Sequence, residues 1–221
     1  MEDCKINYDY TVRNANGAII QFLYGEDGMD PTKIEAQSLP YIDMDYQRLS
    51  SEYLLSKQDD LEVIVDPDIV KGLKGSWDEP FKKHFEQILK DRDFMIIDIF
   101  KRKQNNSFMY PVSFARIINN AKAMMAKYNI CVPSDLHPQY ILDNIEKIEK
   151  ELYINNVNRG DKFIGIMVRC FLSPKQVLMN YKFNKDIFDY VVQQVKLRFF
   201  EAIAHPSEMV GVIAAQSIGE P

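Results

Sequence analysis

Apolar residues recur at helical spacing through most of the chain, and this pattern constrains the fold more than any other feature. One stripe follows Asp78-Glu79-Pro80, where two acidic residues and a proline are typical of a helix start. Its apolar members are Phe81, Phe85, Ile88, Leu89, Ile96 and Ile99. A second stripe, within residues 139–153, consists of Ile141, Ile145, Ile148 and Leu152. Because each stripe needs a packed neighbour, the sequence predicts a mainly α (α+β) fold with a helical body.

Other segments carry helix signals of the same kind. Asp30 is placed to cap a helix that begins at the next residue and has Glu35 and Gln37 on its early turns. Asn184 is placed to cap the last long helix before residue 205. Further helices are predicted at residues 43–56, 112–127 and 161–172, and a short one begins at residues 173–174.

The first thirty residues differ from the rest and predict a β-hairpin. Residues 9–13 and 18–24 are the two strand candidates, and Asn16-Gly17 lies between them. This dipeptide is typical of a type I′ turn, in which both central residues have positive φ. An acidic loop bounded by Gly25 and Gly28 follows. The predicted fold is therefore a helical body with a small hairpin at its N-terminal end.

Composition limits the possible functions. The 221 residues are 46% hydrophobic, which is enough for a core in one domain, or one domain with an appendage. A formal net charge of -5 disfavours a stand-alone nucleic-acid binder, because neutralising phosphates requires clustered Lys and Arg. Cys4, Cys131 and Cys170 are isolated in sequence, which indicates reduced thiols in an intracellular protein rather than a zinc site. No apolar run approaches the roughly 20 residues that cross a bilayer.

No catalytic motif is recognisable in the sequence. Glu26, Asp27 and Asp30 form the densest carboxylate group, but they lack the Asp-x-Asp-x-Asp spacing of a metal loop, and the nearby glycines indicate a turn. The histidines have no serine or cysteine partner in a recognisable motif, and they are His84, His137 and His205. We therefore predict no catalytic residue and no metal ligand in this chain.

Residues 205–221 predict an apolar helix with little bulk on one side. Pro206 suits its first turn, and Glu208 complements the positive end of the helix dipole. Gly211, Ala215 and Gly219 are spaced four apart, so they form a ridge that permits a close neighbour. The alternative is an ordinary core helix that is rich in small residues.

Two blocks near the chain ends resemble the largest subunit of multisubunit DNA-directed RNA polymerases, most closely the eukaryotic polymerase II type or its large DNA virus version. Residues 205–221 read His-Pro-Ser-Glu-Met-Val-Gly-Val-Ile-Ala-Ala-Gln-Ser-Ile-Gly-Glu-Pro and are similar, without a gap, to the segment that leads into the trigger loop. Residues 20–30 read Ile-Gln-Phe-Leu-Tyr-Gly-Glu-Asp-Gly-Met-Asp and, with residues 8–17, are similar to the stretch after the bridge helix. Weaker similarity to the foot domain lies between the blocks, and residues 40–105 match poorly.

The resemblance implies a division of the chain and two groups of site residues. Residues 1–38 would be the post-bridge-helix segment with the hairpin, residues 39–204 a helical foot-like domain, and residues 205–221 the truncated N-terminal helix of the trigger loop. The predicted trigger-loop base comprises Gly211, Ala215, Gln216, Ser217, Gly219, Glu220 and Pro221. The predicted anchor after the bridge helix comprises Arg13, Asn14, Gly17, Gln21, Gly25, Asp27 and Gly28. For Arg13 and Asn14, ordinary roles at a turn and strand edge are an equal alternative.

The resemblance also implies a function in transcription. The chain would support template-directed RNA synthesis from NTPs within the complete polymerase and would be inactive alone. Mg²⁺ and Zn²⁺ would be bound elsewhere in the complex. The expected partners are the remaining segments of the largest subunit, the second-largest and smaller subunits, and, through the complex, the DNA template and RNA, with no membrane. The expected location is intracellular: the nucleus, or the host cytoplasm and virion for a viral protein.

Two other functions compete with this one. The first is a non-catalytic helical scaffold or interaction module derived from the same subunit. The second is a stand-alone nucleic-acid binder, which the negative charge and the lack of an aromatic and basic surface motif disfavour. A trigger-loop continuation and an upstream aspartate metal loop in the same genome would favour the polymerase subunit over the scaffold.

Overall fold

The computed structural model describes residues 2–56, 65–67, 69, 78–101, 106–128, 133–152 and 161–219. Within these ranges the longer helices are α1 (Tyr46–Tyr53), α2 (Asp78–Phe94), α3 (Phe114–Tyr128), α4 (Pro138–Glu151), α5 (Asp161–Phe171), α6 (Lys185–Glu201) and α7 (Val210–Gly219). Helix α2 continues into a π-helical turn, Met95–Ile99, and a second π-helical turn, Gln176–Tyr181, precedes α6. The mainly α (α+β) prediction is confirmed.

The strands form two small antiparallel sheets. The first contains β1 (Lys5–Ile6), β2 (Val12–Arg13) and β3 (Ile19–Gln21) in that order. The second is a ribbon of β4 (Glu35–Ser38) and β5 (Ser107–Tyr110), paired from Glu35 with Tyr110 to Ser38 with Ser107. Short 3-10 turns lie at Tyr24–Glu26 and Pro31–Lys33.

Helix α5 lies at the centre of the helical body. It packs against α2, α3 and α4, and α6 packs against α3 and α4. The predicted apolar stripe of α4 is buried along its whole length, as are Phe81, Phe85 and Ile88 on α2. The two stripes therefore form the core that their spacing predicts.

The predicted stripe of α2 does not extend to its last member. Ile99 is 48% exposed, whereas Met95 is fully buried. The π-helical turn is the reason, because Phe100 N donates to Met95 O at 2.8 Å and the wider turn shifts every later residue out of the 3.6-residue phase.

The predicted helix after Asp30 is wrong beyond its first turn. The carboxylate of Asp30 does accept hydrogen bonds from Thr32 N at 2.9 Å and Thr32 Oγ1 at 2.7 Å, but this cap begins only a 3-10 turn. Glu35 and Gln37 lie instead on β4, and Gln37 Nε2 donates to Tyr110 O at 2.8 Å. Pairing with a strand distant in sequence outweighs the local helix signal here.

Two other local predictions need correction. Asn184 precedes α6, but its side chain makes no capping hydrogen bond, and Asp135 Oδ1 accepts from Lys185 N at 2.9 Å instead. In the hairpin, Gly17 has a φ of 78° but Asn16 does not have a positive φ. Gly17 N donates to Asn14 O and Asn14 N donates to Ala18 O, so a three-residue loop replaces the type I′ turn. The other predicted helices are confirmed with ends shifted by a few residues.

No helix in the described part of the chain is both long enough and apolar enough to cross a bilayer.

Candidate functional site

The two segments near the chain ends lie side by side. Ile6 N donates to Glu208 O at 3.0 Å, and Ser207 N donates to Ile6 O at 2.6 Å. One turn further, Gly211 N donates to Cys4 O at 3.0 Å. Residues 207–211 therefore bond to the edge of β1 that β2 leaves free, and they attach the start of α7 to the N-terminal sheet.

A second set of contacts holds the connection between α6 and α7. Asp30 N donates to Ala202 O at 2.8 Å, and Ala204 N donates to Gly28 O at 2.9 Å. Between them, Met29 and Ile203 form an antiparallel bridge. The connection is thus fixed on both flanks before α7 begins.

A small apolar cluster fills the space between these contacts. Ile6, Val12 and Ala204 are buried in it, with partly buried residues packed around them. The cluster is separate from the main core of the helical body. We call this unit, residues 4–30 with residues 202–219, the terminal joint.

The predicted start of the last helix is wrong. Pro206 lies in a turn, and α7 begins at Val210. Ser207 has a φ of 70°, which no helical residue adopts, and its N–H is already bonded to Ile6. Because residues 207 and 208 pair with β1, they cannot be part of α7.

Ser207→Gly is expected to raise the free energy of unfolding by about 0.5–1 kcal/mol, because glycine adopts the left-handed region without the steric cost that a Cβ imposes. Urea unfolding of the purified chain measures the change. The matched control is Ser51→Gly on the exposed side of α1, where glycine should cost about 0.5–1 kcal/mol. An equal loss of free energy of unfolding in both variants would show that the left-handed backbone at Ser207 is not strained.

The predicted anchor residues occupy turns within the terminal joint. Asn14 and Gly17 form the hairpin loop, and Gln21 Oε1 accepts from Gly25 N at 3.4 Å. Asp27 Oδ1 accepts from Met29 N at 3.0 Å, next to the bridge to Ile203. Gly25 and Gly28 both have positive φ.

Arg13 belongs to a polar network on β2. Its Nη2 lies 2.6 Å from Asp9 Oδ2, and its Nε donates to Thr11 Oγ1 at 2.9 Å. Hydrogen bonds from Thr11, followed by those from Arg13, hold the pKa of Asp9 below its usual value. In the described structure the network supports the strand and its turn.

The predicted small-residue ridge of α7 is contacted at one end. Gly211 is buried against β1, Ala215 is half-buried and Gly219 faces open space. Gln216 is exposed, and Ser217 Oγ donates back to Ile213 O at 2.9 Å. Glu220 and Pro221 lie outside the described residues. Close packing of the whole ridge against a neighbour stays a prediction.

The terminal joint exposes many large apolar side chains. On the sheet and its loops these are Tyr8, Ile19, Ile20 and Phe22, and on and next to α7 they are Met209, Val212, Ile213 and Ile218. Their exposed fractions range from 36% at Val212 to 83% at Tyr8. Exposed apolar surface of this kind is typical of regions that pack against another protein segment.

The described residues offer little chemistry for a metal or a nucleophile. No group of three His, Cys, Asp or Glu side chains among them converges as a metal site would require. Cys4 and Cys170 are free, and burial raises the pKa of the Cys170 thiol, which makes it unreactive. Cys131 lies outside the described residues.

A polar groove of about 590 Å³ lies between α2 and α4. Arg169 lies at its base, where Nε donates to Asp91 Oδ2 at 2.5 Å and Nη1 donates to Glu149. Burial raises the pKa of Glu149, against the opposing effect of Arg169. His84 also lines the groove, and burial, followed by the charge of Arg169, lowers its pKa to about 4. At neutral pH these groups form a buried ion-pair network beside a neutral imidazole.

Comparison with known proteins identifies the family. Residues 29–202 match the family model described as RNA polymerase Rpb1, domain 6. The chain belongs to this family. Two relatives from Trypanosoma brucei brucei are DNA-directed RNA polymerase II subunit RPB1-B and DNA-directed RNA polymerase II subunit RPB1-A. Each is 30% identical over 252 residues, and the alignment covers 100% of this chain and 14% of the relative.

These matches confirm the resemblance to the polymerase largest subunit. The chain spans a small part of either relative, 14% of its length. The Rpb1 domain 6 match covers α1 to α6, whereas the N-terminal sheet and α7 lie outside it. Because the alignments with the relatives cover the whole chain, they include both halves of the terminal joint.

Proposed function

We propose that this chain works as part of the largest subunit of a DNA-directed RNA polymerase and supports RNA synthesis by holding the region between the bridge helix and the trigger loop. The observation that carries this proposal is the terminal joint. The two blocks that resemble the post-bridge-helix segment and the trigger-loop entry are far apart in sequence, yet each one is hydrogen-bonded to the chain just before the other. Ser207, Glu208 and Gly211 bond to β1 and Cys4, and Gly28 and Asp30 bond to residues 202 and 204.

In this role α7 is the root of a gating segment. A gating loop must open and close over a bound nucleotide while its base stays in place. The start of α7 is bonded to β1, whereas Gly219 at its other end faces open space. The joint thus supplies a fixed base for a moving continuation.

The same proposal extends to partners and location. The exposed apolar side chains of the terminal joint would pack against other segments of the largest subunit and against neighbouring subunits. The polymerase would bring the chain to DNA and RNA, with Mg²⁺ and Zn²⁺ held elsewhere in the complex. The nucleus is the proposed location by analogy with the polymerase II relatives. The isolated chain would not extend a primed template.

Gly211→Leu in the complete polymerase is expected to slow nucleotide addition by about tenfold to a hundredfold, or to prevent assembly. Gly211 is buried and its N–H bonds to Cys4 O, so a larger side chain there should disturb the contact between α7 and β1. Small displacements of a group that positions a reactant carry rate penalties of this size. Single-nucleotide addition on a primed template, with the yield of purified complex, measures both effects.

The matched control is Ala123→Leu on α3, outside the terminal joint. Ala123 is exposed, so leucine there adds bulk without entering the contact between α7 and β1. Normal elongation and normal yield of the Gly211→Leu polymerase would contradict the proposed function. A chain that never co-purifies with polymerase subunits would favour the scaffold alternative.

A further inference from the structure

Ile6 holds the terminal joint through its main chain and its side chain together. Its N–H donates to Glu208 O, and its C=O accepts from Ser207 N. Its side chain is fully buried. The strand that carries Ile6, β1, is also the element against which α7 makes its main contact within the described residues.

The cluster around Ile6 has little capacity to compensate for a change. Its other buried members are Val12 and the small residue Ala204, and it is separate from the main core. Partly buried Cys4, Tyr24 and Val210 surround it. Truncation of Ile6 removes the largest buried side chain from a small cluster, so the cavity is relieved by movement of β1 or of the start of α7.

We propose that Ile6 is a positioning residue for nucleotide addition. This inference rests on the proposed function of α7 as the root of a gating segment. The main chain of Ile6 sets the register of residues 207 and 208, and its side chain packs in the cluster that Val210, the first residue of α7, also contacts. The angle at which the gating segment leaves the helical body therefore depends in part on the packing of this side chain.

The test is Ile6→Ala in the complete polymerase, measured as the rate of single-nucleotide addition per assembled elongation complex. We expect kcat to fall about tenfold, because closure over the nucleotide is misaligned. KM for the nucleotide should stay within about twofold, because the variant leaves contacts made before closure intact. Ile6→Val retains the branched shape and should restore kcat to within about twofold of the wild type.

A structural control separates positioning from folding. Ile141→Ala removes the same number of atoms from a fully buried site in the main core, on an element outside the joint. It should lower the yield of complex and leave kcat per complex unchanged. If Ile6→Ala fails to assemble, Ile6→Leu, which keeps the volume but changes the shape, takes its place, with a loss of about threefold expected.

The outcomes distinguish this inference from the proposed function. An Ile6 variant that lowers yield but not kcat, as Ile141→Ala does, overturns the positioning role. If Gly211→Leu still slows addition in that case, the proposed function stands without it. If neither variant changes the rate or the yield, both are overturned.

Discussion

Arg169→Met is expected to lower the free energy of unfolding by about 3–5 kcal/mol. Arg169 lies on α5 and pairs with Asp91 of α2 and Glu149 of α4, so it connects three helices of the body. The side chains of Arg169 and Asp91 are only 12% and 10% exposed. Methionine fills similar space but leaves two carboxylates without their cation in a buried site, and that loss dominates. Urea unfolding at pH 7 measures the effect.

The control for this prediction is Arg48→Met. Arg48 pairs with Glu52 on α1 at 2.8 Å, but its side chain is 68% exposed, so the same substitution should cost less than about 1 kcal/mol. The loss in free energy of unfolding caused by Arg169→Met should also be smaller at acid pH, because protonation of the two carboxylates removes their unpaired charges. A deficit as small as that of Arg48→Met would show that water or other groups compensate the carboxylates.

The helical body follows from sequence because its signals are local. Four apolar residues spaced along α4 define a buried stripe wherever the helix packs, and all four are buried. The same holds for Phe81, Phe85 and Ile88 on α2. Apolar periodicity identifies the face of a helix that is buried, and this information does not depend on distant residues.

The elements that sequence did not predict depend on distant partners. Strands β4 and β5 pair across about seventy positions, and neither has the alternating apolar pattern of a half-buried strand. The sequence predicts that the last helix begins near Pro206, but α7 begins at Val210, because Ser207 and Glu208 bond to Ile6, two hundred positions earlier. A proline with a following acidic residue is a local helix signal, and it gives no information about pairing with a distant strand.

The sequence predicts the candidate site only in part, because the contacts that form this site also join residues distant in sequence. Resemblance singled out both halves of the terminal joint, but it did not reveal that they touch, since main-chain hydrogen bonds leave no signature in residue type. Strand β1 escaped prediction, although Cys4, Ile6 and Tyr8 alternate with polar residues as a strand would. Assignment of trigger-loop and anchor roles to individual residues stays a prediction.

The groove at Arg169 had no sequence signal either. Asp91 and Glu149 lie 78 and 20 positions from Arg169, so their meeting depends on the packing of three helices. His84 belongs to the same region, and its isolated position in the sequence gave no reason to expect an altered pKa. The packing of the helices creates the environment of His84, so the pH dependence of the free energy of unfolding reports on that packing.

Acidification is expected to destabilise the chain through His84 by about 3 kcal/mol between pH 7 and pH 4. Burial, followed by the charge of Arg169, lowers the folded pKa of His84 to about 4, while the unfolded value is near 6.5. The unfolded state therefore binds the proton first as the pH falls. The contribution of the neutral imidazole is complete above pH 6.5, declines by up to about 1.4 kcal/mol per pH unit below it, and is lost near pH 4.

His84→Gln isolates this contribution, because glutamine stays neutral throughout the range. Urea unfolding at half-unit pH steps should show a shallower acid decline in this variant than in the wild-type chain. The raised pKa of Glu149 acts in the opposite direction, but it is present in both chains, so the difference between them reports His84. An unchanged slope in His84→Gln would mean that the imidazole accepts its proton in the folded chain and that the groove around Arg169 is open to water.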